Sequence, residues 1–394
     1  MDAKKLLDNL LERMMGLGGS DLHIKSDTRP KSRISGEMEY LSEEVLDDDF
    51  FEGIIHKVLS EEQREILLKN KELDSHYISV NGERFRLNIF YHLRGFACVF
   101  RIIPTAIMGI DDLMLPQAVH RFVNFNKGMV LVTGTTGSGK STTLAAIIDE
   151  INKTRKHHII TIEDPIEFVH RDKLCSIEQR DVGEHTQSFH RALRAALRED
   201  PDIILLGELR DIETIEIALH AANTGHLVFS TLHTLDARET IDRIVGTFPA
   251  NEQNRISMSL ASVLGGVICQ RLVRKKDGKR CPAVEVMINT GRISQMIMEK
   301  KNHEIIDAIE EGEIHGMQSF DQSLFKLYSD GEITLDDALR AASRPDDLKL
   351  RISFLENSVE GSGYILKEED ETQEELHSAA REKHEEKPKL QIKR

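Results

Sequence analysis

The chain has 394 residues, of which 40% are hydrophobic, and its 67 acidic and 52 basic side chains give a formal net charge of −15. This length exceeds one ordinary core and predicts two domains with an appendage. The acidic balance argues against nucleic acid as the main partner, because phosphate-binding surfaces need clustered lysines and arginines.

The cysteines and the apolar runs bear on where the protein works. The four cysteines are scattered without C-x-x-C spacing, which argues against a zinc site or a disulfide framework and favours reduced thiols in a cytoplasmic protein. The sequence has neither a signal-peptide pattern nor an apolar run of roughly 18 residues. We therefore expect no direct membrane insertion and only partner-mediated association with a membrane.

The first sixty residues mix helical and strand patterns. Apolar side chains in residues 4–14 recur on one helical face, and glycines follow them. Residues 20–24 alternate like a strand, and residues 36–41 form a second short strand pattern. The acidic stretch up to Ser60 is helical in pattern. These elements predict a mixed α+β first domain.

Three arginines stand out in the next strand patterns. Residues 84–91 alternate apolar and polar side chains, which predicts a strand with one buried face. Arg84 and Arg86 would lie on the other face, and a second strand pattern at 96–103 carries Arg101. A solvated sheet surface explains these arginines as well as a binding role does.

A glycine-rich motif follows a short apolar run at 129–133. It reads G-x-x-x-x-G-K-S and is followed by a helical pattern, and this strand, loop and helix are the context of a phosphate-binding P-loop. Glycines let backbone N–H groups turn toward phosphate oxygens, and the helix adds its positive end. Lys140 would reach the β- and γ-phosphates, and Ser141 would ligate Mg²⁺. An accidental glycine-rich turn would not require the strand before it and the helix after it. The predicted ATP-binding residues are Gly134, Thr135, Thr136, Gly137, Ser138, Gly139, Lys140, Ser141 and Thr142.

Three later apolar runs also end in polar residues. They end at Glu163, Glu208 and His233, and helical patterns separate them. Apolar strands alternating with helices predict a mostly parallel sheet covered on both faces. Ligands gather at the carboxyl ends of such strands. We therefore expect these three side chains to lie near Gly134.

The polar strand ends supply the groups that phosphoryl transfer needs. Glu163 would orient the attacking water, and Glu208, which ends its strand like a Walker B acid, would support Mg²⁺ through a bound water. His233 could sense or polarise the γ-phosphate. Either carboxylate could instead cap a following helix, where the helix dipole favours it. Two acids at two strand ends of one P-loop sheet favour the catalytic interpretation.

Four motifs in chain order resemble those of the secretion ATPase superfamily, and within it the type IV pilus retraction motors of the PilT/PilU class. Residues 134–141 are similar to the Walker A motif of that class, and residues 161–167 to its Asp box. Residues 207–211 are similar to its Walker B motif, and residues 224–233 to its His box. The resemblance extends over residues 4–355.

The resemblance implies an α/β architecture, in which a PAS-like α+β N-terminal domain precedes a RecA-like P-loop ATPase domain with a helical C-terminal region. It implies a homohexamer with ATP and Mg²⁺ at the subunit boundaries. Arg86 and Arg101 of the N-terminal domain would reach that ATP, with weaker matches at Arg84 and Arg94. The implied segments are 1–103 (PAS-like), 104–116 (linker), 117–302 (RecA-like core), 303–356 (helical region) and 357–394 (charged, disordered tail).

The resemblance further implies pilus disassembly and twitching motility, at the cytoplasmic side of the inner membrane. The implied partners are an inner-membrane pilus platform protein and a second retraction or extension ATPase. Assembly motors usually carry a four-cysteine insert, which is absent here. Residues 292–297 lack the Ala-Ile-Arg-Asn-Leu-Ile motif of PilT, residues 316–324 and the tail are PilU-like, and residues 196–201 are PilT-like. Both an autonomous motor and an accessory PilU-like motor stay open.

Three alternatives accompany this hypothesis. The first is an ATPase for pilus assembly or type II secretion. The second is a non-catalytic ATP-binding accessory subunit, against which Lys140, Glu163 and Glu208 argue because they would supply catalysis. The third is a P-loop kinase, which is disfavoured because no acceptor-binding lid is evident in the sequence.

Overall fold

A computed structural model describes residues 2–356 except Ser35 and Thr105. The predicted charged tail, 357–394, lies outside the described residues. The chain forms two sheets, and the first is built from residues up to 102 together with three helices. In chain order these elements are α1 (Ala3–Gly16), β1 (Gly19–Lys25), β2 (Lys31–Ile34), β3 (Glu37–Tyr40), α2 (Asp48–Val58), α3 (Glu61–Asn70), β4 (Glu72–Ile78), β5 (Arg84–His92) and β6 (Gly95–Ile102).

The first sheet has six strands in the order β3-β2-β1-β6-β5-β4, and every neighbouring pair is antiparallel. The alternation in β5 buries Phe85, Leu87 and Ile89 against α1 and α2, as the sequence predicts. Arg84 and Arg86 point to the opposite face of the sheet, where they are half-buried. The first unit therefore has one covered face and one open face.

The second unit begins after the predicted linker. Within that linker, Ile110 and Leu115 are buried in the second core, so its later half is packed against the unit that it precedes. The elements are α4 (Val119–Val123), β7 (Gly128–Thr133), α5 (Lys140–Thr154), β8 (His158–Glu163), β9 (Ser176–Asp181), α6 (Phe189–Ala196), β10 (Ile203–Leu206), α7 (Ile212–Asn223), β11 (Leu227–Leu232), α8 (Ala237–Gly246), α9 (Gln253–Val263), β12 (Leu264–Arg274), β13 (Arg280–Ile288), α10 (Gly291–Glu299), α11 (Ile305–Glu310), α12 (Phe320–Ser329) and α13 (Leu335–Ala341), with 3₁₀ turns at Asn302–Glu304 and Glu313–His315.

The second sheet has seven strands in the order β13-β12-β7-β11-β10-β8-β9. All neighbours are parallel except the edge pair β12 and β13, which is antiparallel. Strands β7, β10 and β11 are buried along their whole length, because helices cover both faces. The predicted mostly parallel sheet is confirmed. The antiparallel hairpin of β12 and β13 at its edge was not predicted from the sequence.

The helical C-terminal region packs on this hairpin. Helix α12 contacts β13, helix α13 contacts β12, and residues 345–356 are helical as well. Among the described residues, no helix combines the length and apolar composition that a membrane crossing requires. The fold thus places the carboxyl ends of six parallel strands along one edge, where the predicted site residues lie.

Candidate nucleotide-binding site

The loop between β7 and α5 has a backbone that only glycine adopts easily. Gly134, Gly137 and Gly139 have φ values of 143°, 77° and 92°, all in the positive region. A Cβ on Gly134 would lie 2.4 Å from the carbonyl oxygen of Gln270 on β12. Helix α5 begins directly after the loop and has no side-chain cap, so its first N–H groups are open to an anion. The loop is therefore shaped as a phosphate cradle.

Lys140 is the first residue of α5, and its ammonium group turns back over the loop. Its Nζ donates to the carbonyl oxygens of Gly134 at 2.8 Å and Thr135 at 3.1 Å. Burial lowers the pKa of Lys140, and the charge of Glu208 opposes that shift. Among the described residues no carboxylate forms an ion pair with it. A largely desolvated cation without a carboxylate partner fits an anionic ligand.

A cavity of about 420 Å³ opens above this loop, within the range of small-molecule sites. Six of the nine predicted ATP-binding residues line it. Gly134, Thr135 and Ser138 do not; the first two hold Lys140 through their carbonyls, and the hydroxyl of Ser138 is buried without a hydrogen-bond partner. The lining also includes the predicted catalytic residues Glu163, Glu208 and His233.

His233 and Glu208 meet Lys140 across the strand ends. The Nδ1 of His233 lies 3.5 Å from the Nζ of Lys140, and its Nε2 lies 3.5 Å from Oε1 of Glu208. A lysine can only donate, so the tautomer with its proton on Nε2 fits both neighbours. Arg210 donates to Oε2 of Glu208 at 2.7 Å and reaches Asp164 at 3.7 Å. Strand β11 lies beside β7, and this adjacency brings the group together.

Glu163 ends β8 on the other side of the cavity. Its Oε1 accepts hydrogen bonds from Thr161 at 2.7 Å and from Gln179 at 3.3 Å. Desolvation raises the pKa of Glu163 to about 7, although these hydrogen bonds and the backbone N–H of Glu167 act in the opposite direction. A carboxyl group that titrates near neutral pH suits proton transfer at that pH.

Neither predicted arginine of the first unit reaches the cavity within this chain. Arg101 donates through Nε to the buried carboxylate of Asp21 at 2.6 Å, and most of its side chain is exposed. Arg86 lies opposite Arg101 in the pairing of β5 with β6, on the open face of the first sheet. Neither arginine lines the nucleotide cavity of its own chain.

One group of His, Asp and Glu side chains in the described part of the chain has the composition of a metal site. His76 of β4 lies between Asp181 and Glu184 of the second unit. Its Nδ1 is 2.5 Å from Glu184, and its Nε2 is 3.4 Å from Asp181. The His76 ring thus bridges two carboxylates of the second unit.

Several cavity residues are missing from the sequence-based prediction. Arg210 lies two residues after Glu208, and that spacing on a strand end is the signal that could have found it. Leu272 and Arg280 come from the β12–β13 hairpin, which reaches the cavity only through the strand order. Gln179 contacts Glu163 from β9, and no local pattern in the sequence indicates that contact.

A phosphate cradle at the carboxyl edge of a covered parallel sheet, with acids on neighbouring strands, defines a P-loop nucleotide-binding protein whose α/β core is consistent with a RecA-like ATPase domain. The family model described as type II/IV secretion system protein matches residues 3–340, and the chain belongs to that family.

Comparison with individual proteins gives more specific matches than the family model does. The chain is 44% identical over 330 residues to the type IV pilus retraction ATPase PilT of Pseudomonas aeruginosa, covering 84% of this chain and 96% of the relative. It is 38% identical to the type IV pilus ATPase PilU of the same organism, covering 88% and 91%. A crystal structure of the pilus retraction motor PilT with bound ADP matches with a TM-score of 0.82 and 42% identity, covering 87% of this chain and 98% of that one.

Proposed function

We propose that this protein is a Mg²⁺-dependent ATPase motor that powers type IV pilus retraction. The observation that carries the proposal is the desolvated ammonium of Lys140, which lies over a glycine cradle, faces His233 and has no carboxylate partner within the described residues. An ATP phosphate tail is the ligand that satisfies such a group. Similarity to PilT and PilU over most of both chains supports pilus retraction as the output.

The donor set around the cradle fits Mg²⁺ as well. Ser141 offers a hydroxyl and Glu208 a carboxylate, both oxygen ligands lining the same cavity. These two residues would hold the ion, directly or through its water. When bound, Mg²⁺ neutralises charge on the phosphates and orients them. Lys140 would donate to phosphate oxygens in place of its loop carbonyls, and His233, 3.5 Å from its Nζ, would sense the γ-phosphate.

Glu163 activates the attacking water in this proposal. In its ionised form the carboxylate accepts a hydrogen bond from the water and takes its proton as the oxygen attacks the γ-phosphorus. The phosphorus–oxygen bond to ADP then breaks, and the proton leaves Glu163 with the phosphate product. Glu163 needs to be ionised for this step, so turnover falls as the pH drops below the pKa of about 7.

The same proposal describes the first unit as a PAS-like domain that lies at a subunit boundary. The open face of its sheet carries Arg86 and Arg101, which would complete the nucleotide site of a neighbouring copy in a homohexamer. ATP hydrolysis would move this unit against the RecA-like core and so act on an inner-membrane platform protein from the cytoplasmic side. In this proposal the PAS-like domain spans residues 1–103 and the RecA-like core spans residues 117–302.

The alternative is accessory action beside a second retraction motor, the role that the resemblance to the PilU branch implies, and the chain is 38% identical to PilU over 91% of that relative. The two roles differ in autonomy. An autonomous motor restores retraction in cells that lack every other retraction ATPase, whereas an accessory motor restores it only beside one of them.

The experiment that tests the enzymatic part is ATP turnover of the purified full chain and of Glu163→Gln. We expect a loss of at least about 100-fold in kcat with ATP binding retained, since an intact cradle still binds the phosphates. Equal turnover in the two proteins would remove Glu163 from the proposed role. Absence of turnover in the unsubstituted chain at saturating ATP would favour the non-catalytic ATP-binding accessory subunit.

A further inference from the structure

The two side-chain hydrogen bonds of the Glu163 carboxylate converge on one of its oxygens, and the backbone N–H of Glu167 donates to the carboxylate as well. Both of its side-chain hydrogen bonds reach Oε1, from the hydroxyl of Thr161 and the amide of Gln179. Within the described part of the chain, no side-chain donor is bonded to Oε2. Oε2 therefore has no side-chain partner among the described residues, and Glu163 lines the cavity.

Thr161 and Gln179 come from neighbouring strands and are direct partners in the sheet. Thr161 lies on β8, two residues before Glu163, so the two side chains share a face of the strand. Gln179 is its register partner on the parallel strand β9. The two donors approach Glu163 from adjacent strands, and the sheet hydrogen bonds fix their separation.

The amide of Gln179 cannot rotate away from this arrangement. Its Oε1 accepts a hydrogen bond from the backbone N–H of His170 at 2.8 Å, and its Nε2 donates to the carbonyl of Phe168 at 2.9 Å. A flipped amide would set oxygen against the Phe168 carbonyl and NH₂ against the His170 N–H, which loses both bonds. The Nε2 therefore stays directed at Glu163.

The hydroxyl of Thr161 is constrained by burial. Thr161 is fully buried, so its hydroxyl proton needs a hydrogen-bond acceptor inside the protein. The carboxylate of Glu163 is that partner at 2.7 Å, a charge-assisted bond when the acid is ionised. Such a bond favours the ionised form over the neutral form.

We propose that Thr161 and Gln179 are positioning residues that hold Oε1 of Glu163 and so direct Oε2 at the attacking water. The proposal deepens the proposed function and rests on the role assigned there to Glu163. Neither residue lines the cavity, so each acts on the reaction through the carboxylate of Glu163. Gln179 also anchors the backbone of Phe168 and His170, which do line the cavity. Loss of either residue should therefore alter the catalytic step and its pH dependence, and loss of the Thr161 hydroxyl should leave ATP binding intact.

Two substitutions test this on the full chain, Thr161→Val and Gln179→Leu. Each should lower kcat about tenfold, the effect of one lost hydrogen bond to a charged group, and Thr161→Val should keep KM for ATP within about twofold of the parent. Each should also move the acidic limb of the kcat profile to higher pH, because a donor that favours the ionised carboxylate is gone. Thr161→Ser keeps the hydroxyl and should restore both values.

The control is Ser176→Ala, which removes a hydroxyl from the exposed start of the same strand, β9, and should change neither kcat nor the acidic limb. A kcat and an acidic limb like the parent's in Thr161→Val and Gln179→Leu would overturn the inference. If Thr161→Val fails to fold, Gln179→Leu decides alone, since β9 is the edge strand. Glu163→Gln in the same assay separates the two proposals: if it turns over normally, the catalytic role that the proposed function gives to Glu163 fails, and if it alone is inactive, only the inference fails.

Discussion

Glu163→Gln should stabilise the nucleotide-free protein above neutral pH and leave its stability unchanged in acid. Glutamine has the same shape and keeps an oxygen that accepts from Thr161 and Gln179. It removes the negative charge whose desolvation raises the pKa of Glu163 from 4.5 to about 7. The substitution that abolishes turnover is therefore expected to make the fold more stable.

The magnitude follows from proton linkage. Between pH 4.5 and about 7 the folded protein holds the Glu163 proton more tightly than the unfolded chain does, so stability falls as the pH rises. The loss is about 1.4 kcal/mol for each pH unit and is complete above the folded pKa, at about 3 kcal/mol. Below pH 4.5 both states are protonated, and the cost of the charge disappears.

Thermal unfolding at pH 5 and pH 8, without nucleotide, measures this difference. For a unit of this size about 3 kcal/mol corresponds to a rise of roughly 6 to 12 °C at pH 8, with a much smaller rise at pH 5. Glu313→Gln, which removes an exposed carboxylate of the same unit that does not line this cavity, is the control. An equal rise at both pH values, or none at pH 8, would refute the reasoning.

Three further predictions concern the cradle and the subunit boundary. Lys140→Ala should reduce ATP turnover at least about 100-fold, because the cation that meets the phosphates is lost; intact turnover would contradict the site. Gly134→Ala should abolish binding of a fluorescent ATP analogue, since its Cβ would lie 2.4 Å from a backbone oxygen, whereas Gly291→Ala, with nothing within 4 Å, should bind normally. Arg86→Ala and Arg101→Ala should leave nucleotide binding to the isolated chain unchanged and lower turnover of the oligomer about tenfold or more; a loss of binding by the isolated chain would place them in their own site.

Local sequence patterns predicted much of this site. The glycines, Lys140 and the strand before them form a contiguous motif, and Glu163, Glu208 and His233 follow apolar runs that end abruptly. These are signals within a few residues of one another. The parallel sheet followed from alternation of strands and helices, because such connections favour parallel neighbours.

Those local patterns do not predict the order of the strands in the sheet. The meeting of Lys140 with His233 requires β11 beside β7, and the contact of Gln179 with Glu163 requires β9 beside β8. Periodicity gives the faces of a strand but not its neighbours. The β12–β13 hairpin was missed for the same reason, and with it Leu272 and Arg280, whose place in the cavity depends on pairing with β7.

The central claim is tested most directly by pilus behaviour in a strain that lacks this protein. If the protein powers retraction, deletion cells still assemble pili, accumulate them on the surface and withdraw them slowly or not at all. The unsubstituted chain should restore withdrawal, and Lys140→Ala should not. Cells that make no pili would contradict a retraction motor and indicate assembly, and restoration by Lys140→Ala would contradict an ATP-driven one.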